Sequence, residues 1–116
     1  MADIVRHNPD RKLSDAVEYN GVVYLAGQVA EKLNIGMREQ TQDVLRQIDA
    51  LLAKCGTNKS RILTTTIYVS DMQLKPQMDA AWLDWVDPSN PSARATVQAQ
   101  LGSPDTLVEI MCVAAK

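Results

Sequence analysis

Arg94 and Glu109 are the residues of this chain whose types and settings point most directly to chemistry. Arg94 lies in Pro91-Ser92-Ala93-Arg94-Ala95-Thr96-Val97-Gln98-Ala99-Gln100-Leu101, and Glu109 in Leu107-Val108-Glu109-Ile110-Met111-Cys112-Val113-Ala114. Each stretch reads as a strand carrying a single charge in an otherwise neutral run. A charge flanked by apolar groups is costly unless something pairs with it, which leaves an ion partner, an interface or a ligand. The guanidinium of Arg94 offers a planar, permanently charged fork that matches both oxygens of a carboxylate. Glu109, between Val108 and Ile110, is a candidate base, because desolvation makes a carboxylate a better proton acceptor. On the residues alone, Arg94 reads first as a solvated ion pair at a strand edge, with the ligand grip as the other reading. Glu109 reads equally as a structural carboxylate at a subunit contact.

Side chains alternate along a strand, so Arg94, Thr96 and Gln98 share one face. If Gly102-Ser103-Pro104-Asp105 closes a hairpin, Leu101 pairs with Thr106 and Gln98 lies opposite Glu109. Glu109 then joins the face of Arg94 and Thr96. This expectation depends on register, since a slip of one residue sends a side chain to the other face.

The elements that must carry these groups are legible from periodicity and turn chemistry. Asn20-Gly21 signals a two-residue hairpin between Ala16–Tyr19 and Val22–Ala26. Apolar residues at Val44, Leu45, Ile48, Leu51, Leu52 and Cys55 mark one face of a helix from Met37 to Lys54, with Gly56 placed to stop it. Arg61 to Val69, rich in Thr, Ile, Tyr and Val, is a strand. Pro76 suits the first turn of a second helix ended by Pro88, with Met78, Trp82 and Trp85 on one stripe. The two tryptophans read as core or as the wall of a cleft. The order predicts an α+β fold, a single domain over residues 1–116: a mixed sheet with both helices on one face.

Several ordered segments resemble one family. Ala93-Arg94-x-Thr96-Val97-x-x-x-Leu101 followed by Val108-Glu109-Ile110-x-x-x-Ala114 is similar to the carboxy-terminal signature of the Rid (YjgF-type) family. Tyr24-Leu25-Ala26-Gly27-Gln28-Val29, Gln40-Thr41-Gln42-Asp43-Val44-Leu45, Lys54-Cys55-Gly56 and Ile67-Tyr68-Val69-Ser70-Asp71-Met72 match further family segments. The likeness runs from Ser14 to Ala114 and is nearest to the YoaB-like branch. It implies a chorismate-mutase-like fold, three copies around a central barrel, and a ligand cleft at each subunit boundary. It also implies that Arg94 grips the carboxylate of a small 2-imino or 2-keto acid and that Glu109 positions the attacking water. Gly27 would bring a bare backbone N–H close to the ligand, which a missing Cβ permits; its other reading is a bulge or tight packing. Thr96 joins the substrate-binding set at the position of a family cysteine. Leu13 stands where the archetype has Tyr, Ala26 where it has Ser, and Asp79 where it has Asn. Two lost hydroxyl donors, each worth roughly 0.5–1.5 kcal/mol, would weaken binding about ten-fold or more.

The totals limit the alternatives. A chain of 116 residues buries roughly two-thirds of its unfolded surface, enough for one thin core that self-association would help. A formal net charge of −2 without a basic run argues against nucleic acid, whose affinity rests on phosphate neutralisation. No apolar run approaches the roughly 20 residues of a membrane span. The amino terminus, Met1 to Arg6, lacks a signal peptide's apolar segment, so a cytoplasmic protein is expected. Cys55 and Cys112 read as free packed thiols, and His7, the only histidine, as a surface residue. No metal and no organic cofactor is expected. The leading expectation is a deaminase hydrolysing enamine or 2-imino acids to 2-keto acids and ammonia. The alternative is a non-catalytic binding module for small carboxylic acids, and a protein-binding assembly with a vestigial cleft is a weaker third.

Overall fold

The computed structural model describes residues 3–116; Met1 and Ala2, and with them the start of the expected plain amino terminus, lie outside the described residues. The chain forms β1 (Val5–His7), β2 (Ala16–Tyr19), β3 (Val22–Leu25), β4 (Gln28–Val29), α1 (Met37–Lys54), β5 (Ile62–Val69), α2 (Lys75–Trp85), β6 (Ala93–Gln98) and β7 (Val108–Ala115). Asn20 and Gly21 take φ of 50° and 76°, the paired positive values of the expected hairpin turn. Helix α1 has its expected bounds. It closes with Gly56 at φ 78°, Gly56 N–H donating to Ala53 O and Thr57 N–H to Leu52 O, each 3.0 Å. Its buried stripe is Val44, Leu45, Ile48, Leu51 and Leu52. Helix α2 carries Pro76 in its first turn, where the missing N–H costs nothing.

One mixed sheet runs in the order β1-β2-β3-β7-β5-β6, with β4 also paired to β7. All pairs are antiparallel except β5–β6, which is parallel and joined through α2. The two helices cover one face. Ile67, Val69, Val108, Ile110 and Cys112, at most 1% exposed, point into that core. The opposite face is open and carries apolar side chains: Tyr24, Val29, Val97 and Met111 are all at least 38% exposed. Among the described residues no helix is long and apolar enough to cross a membrane.

The expected hairpin between the last two strands does not form. The turn itself exists, with Thr106 N–H donating to Ser103 O, but β5 lies between the strands it joins. Beyond β6 the chain wraps around the end of β5. Ala99 N–H donates to Val69 O and Ser70 N–H to Leu107 O, at 3.0 and 2.9 Å. Gln40 holds this wrap. Fully buried on α1, its amide donates to the carbonyls of Leu33, Ile35 and Asp105 and accepts from Leu107 N–H.

Candidate functional site

The inserted strand decides which site residues meet. Arg94 is in register with Thr65 of β5, and Thr65 with Cys112 of β7; Thr96 follows with Ile67 and Ile110. Registered residues point the same way, so Arg94 and Thr96 face the helices. Glu109 is in register with Tyr68 and Val29, on the open face. The expectation that Glu109 shares the face of Arg94 and Thr96 is therefore overturned: three registered strands change the parity that a direct hairpin would have set. Two strand spacings across and three residues along put the Cα atoms of Arg94 and Glu109 roughly 14 Å apart. A single small ligand cannot touch both within one copy of the chain.

Arg94 sits on the edge strand, its main chain open but its side chain only 24% exposed. Its Nη2 donates to Asp79 Oδ1 at 2.8 Å, and Lys75 Nζ donates to Asp79 Oδ2 at 2.7 Å one helical turn away. The guanidinium carbon lies 5.4 Å from the centre of the Trp82 ring, close enough for a cation–π attraction. Burial pushes the Asp79 carboxyl up, but Lys75 and Arg94 outweigh it and hold it below the ordinary aspartate value. Among the described residues Asp79 is the hydrogen-bond partner of the Arg94 side chain, so one of five N–H donors is engaged. Asp79, Trp82, Leu83 and Arg94 line a cleft of about 310 Å³. Among the described residues Thr96 Oγ1 is buried without a hydrogen-bond partner, an arrangement that costs about 1–3 kcal/mol unless something satisfies it.

The second corner is Glu109 with Gly27. A Cβ built at Gly27 would overlap the Glu109 carboxylate, so only glycine lets backbone and carboxylate come this close. Glu109 is half-buried, and among the described residues its carboxylate takes no hydrogen bond. Leu13 is 53% exposed and Ala26 partly so. A larger hollow of about 460 Å³, at Ser70, Gln98, Gln100 and Ser103, is lined without a titratable group and offers no comparable chemistry.

Trp82 and Trp85 resolve into separate roles. Trp82 is 7% exposed and floors the Arg94 cleft, whereas Trp85 Nε1–H donates to Asp49 and lies under Lys59. Cys112 is a packed thiol as expected, pushed up to about 11 by burial against a smaller opposing effect of the Thr65 hydroxyl. His7 departs from expectation: its side chain is 16% exposed and bonded to Glu18. Sequence reasoning also missed Gln40 as an organiser. The one local clue to the Arg94 anchor was the i, i+4 spacing of Lys75 and Asp79.

The profile of the endoribonuclease L-PSP family matches residues 4–116. A RutC family protein of Haemophilus influenzae is 46% identical over 112 residues, 96% of this chain and 97% of that protein. The RutC family protein YoaB of Escherichia coli is 44% identical over 112 residues, covering 97% of each. Among solved structures, a member of the YjgF protein family from Neisseria meningitidis superposes with a TM-score of 0.96. It is 40% identical, over 98% of this chain and 95% of that one.

Proposed function

Because this chain belongs to the endoribonuclease L-PSP (YjgF/Rid) family, we propose that it hydrolyses small 2-imino or enamine acids to 2-keto acids and ammonia. The site we propose is a cleft assembled from two copies. Arg94 and Thr96 of one copy face Glu109 and Gly27 of the next. The observation that carries this reading is the division of the site into two incomplete corners. Among the described residues, one has a guanidinium with unengaged donors beside an orphaned hydroxyl, and the other has a carboxylate without a hydrogen bond. The open apolar face, with Tyr24, Val29, Val97 and Met111, is the surface on which three copies would close a barrel.

In the proposed reaction Arg94 holds the substrate carboxylate in a bidentate grip, and Trp82 and Asp79 fix the guanidinium plane. Glu109 orients a water against the C=N carbon and accepts a proton as the O–C bond forms. Glu109 passes that proton to nitrogen; the C–N bond of the protonated carbinolamine then breaks, ammonia leaves with its electron pair, and the hydroxyl gives its proton to Glu109 as the C=O forms. An iminium is electrophilic enough for water addition, so this route needs no metal or organic cofactor. RNA is a poor fit for the ligand: the net charge is −2, and the Arg94 corner carries Asp79 beside its cation.

A second reading, a binding module for small keto acids, draws support from Leu13, Ala26 and Thr96, where the family archetype carries other polar donors. Ammonia release from freshly generated 2-imino acids, with calorimetry on 2-oxobutanoate, separates the two. We expect turnover in the unaltered chain, loss of both turnover and 2-oxobutanoate binding in Arg94→Ala, and loss of turnover alone in Glu109→Ala. Saturable binding without ammonia release would select the binding module. Binding and turnover both unchanged in Arg94→Ala would defeat both readings.

A further inference from the structure

A second group of reactive side chains converges where β1, β2 and the end of α1 meet. The β1–β2 register sets His7 across from Ala16, and Ala16 and Glu18 both face the helices. Helix α1 ends over that same patch, with Cys55 as its C-cap residue. His7 Nε2 lies 2.5 Å from Glu18 Oε2. One ligand atom from each of His7, Glu18 and Cys55 lies within 4.8 Å of the other two. We propose that His7, Glu18 and Cys55 form a binding site for one zinc-like divalent ion. This site is independent of the reading given to Arg94.

The donor set favours that class of ion. Imidazole nitrogen, thiolate and carboxylate together suit a borderline metal such as Zn(II), whereas Mg(II) and Ca(II) prefer all-oxygen cages. A tetrahedral ion with bonds of about 2.0–2.3 Å holds its ligand atoms roughly 3.3–3.8 Å apart. His7 and Glu18 need to part by about one ångström to admit it, and a water can take the fourth position. The three donors come from three elements that the sheet and helix hold in place. They are also shielded, with His7 and Glu18 side chains 16% and 11% exposed and Cys55 2%. The carboxyl end of α1 carries partial negative charge, which favours a cation there. On binding, the Cys55 S–H proton leaves to solvent, and thiolate plus carboxylate balance the dication. No metal-ligand spacing is visible in the sequence because the donors are drawn from positions 7, 18 and 55 by the fold.

Lys116 is the competitor. Its Nζ donates to Glu18 Oε1 at 2.7 Å from a side chain 48% exposed, so it neutralises Glu18 without an ion and must swing out when one binds. The unaltered chain, stripped with chelator, is titrated with Zn(II) alone by calorimetry, and its Co(II) form is examined by absorption. We expect one ion per chain, a thiolate-to-cobalt charge-transfer band, and binding roughly ten-fold weaker or worse in His7→Ala and Cys55→Ser. Lys116→Ala, at a side chain 48% exposed, should bind several-fold more tightly. If the ligand variants fail to fold, the Lys116→Ala titration and the unaltered chain's Co(II) spectrum decide. Lack of Zn(II) binding, a Co(II) form without the thiolate band, or no tightening in Lys116→Ala overturns the proposal.

Discussion

Arg94 owes its reach to the acid beside it. A lone guanidinium on an edge strand would sample many rotamers, but Asp79 at 2.8 Å and the Trp82 ring at 5.4 Å fix its plane. The same carboxylate repels an incoming anion, so Asp79 trades affinity for position. Asp79→Asn keeps an oxygen acceptor and removes the negative charge. It should tighten 2-oxobutanoate binding several-fold by calorimetry, and weaker binding would mean that positioning dominates. Asp79 also links this corner to pH. Its carboxyl is held below the ordinary value of 3.8 by Lys75 and Arg94 against the opposing effect of burial. Stability from the cluster is therefore full above 3.8 and declines as pH falls toward the lowered folded value. Urea unfolding of the unaltered chain and Asp79→Asn should show a gap that is constant from pH 5 to 8 and narrows below pH 4. Arg94 stood out in the sequence because a lone charge in a neutral strand calls for a partner, which the fold supplies as Asp79. His7 was not, because its burial depends on a three-residue strand, β1, and its register against β2.

At the scale of elements, local signals were read well and long-range pairing was not. The 3.6-residue apolar period fixed α1, and Asn20-Gly21 fixed its hairpin, because each is determined by the residues of the element itself. The placement of β5 between β6 and β7 is a different kind of fact. Gly102-Ser103-Pro104-Asp105 specifies a reversal of direction, but not whether a third strand fills the gap, and Glu109 changed faces on that point alone. Gln40 is the residue that secures the arrangement, joining the start of α1 to the wrap around β5 through four hydrogen bonds. Gln40→Leu leaves a buried N–H and several carbonyls unsatisfied. It should lower unfolding free energy by roughly 2–4 kcal/mol, read by chemical denaturation. A loss below about 0.5 kcal/mol would mean that water replaces the amide.

Across the whole molecule, a thin sheet with helices on one face leaves its other face apolar and its chemical groups divided. Both features have one resolution in the proposed assembly: copies meeting on the open face would cover Tyr24, Val29, Val97 and Met111 and set Arg94 of one against Glu109 of the next. The most direct measurement is complementation between two disabled chains. Arg94→Ala and Glu109→Ala are each assayed for ammonia release from 2-imino acids, then unfolded together in equal amounts and refolded. Random mixing gives about a quarter of the clefts an intact Arg94 from one chain and an intact Glu109 from the other. The account predicts that each variant alone is inactive and that the mixture recovers about a quarter of the unaltered chain's activity. A mixture no more active than either variant alone would contradict it.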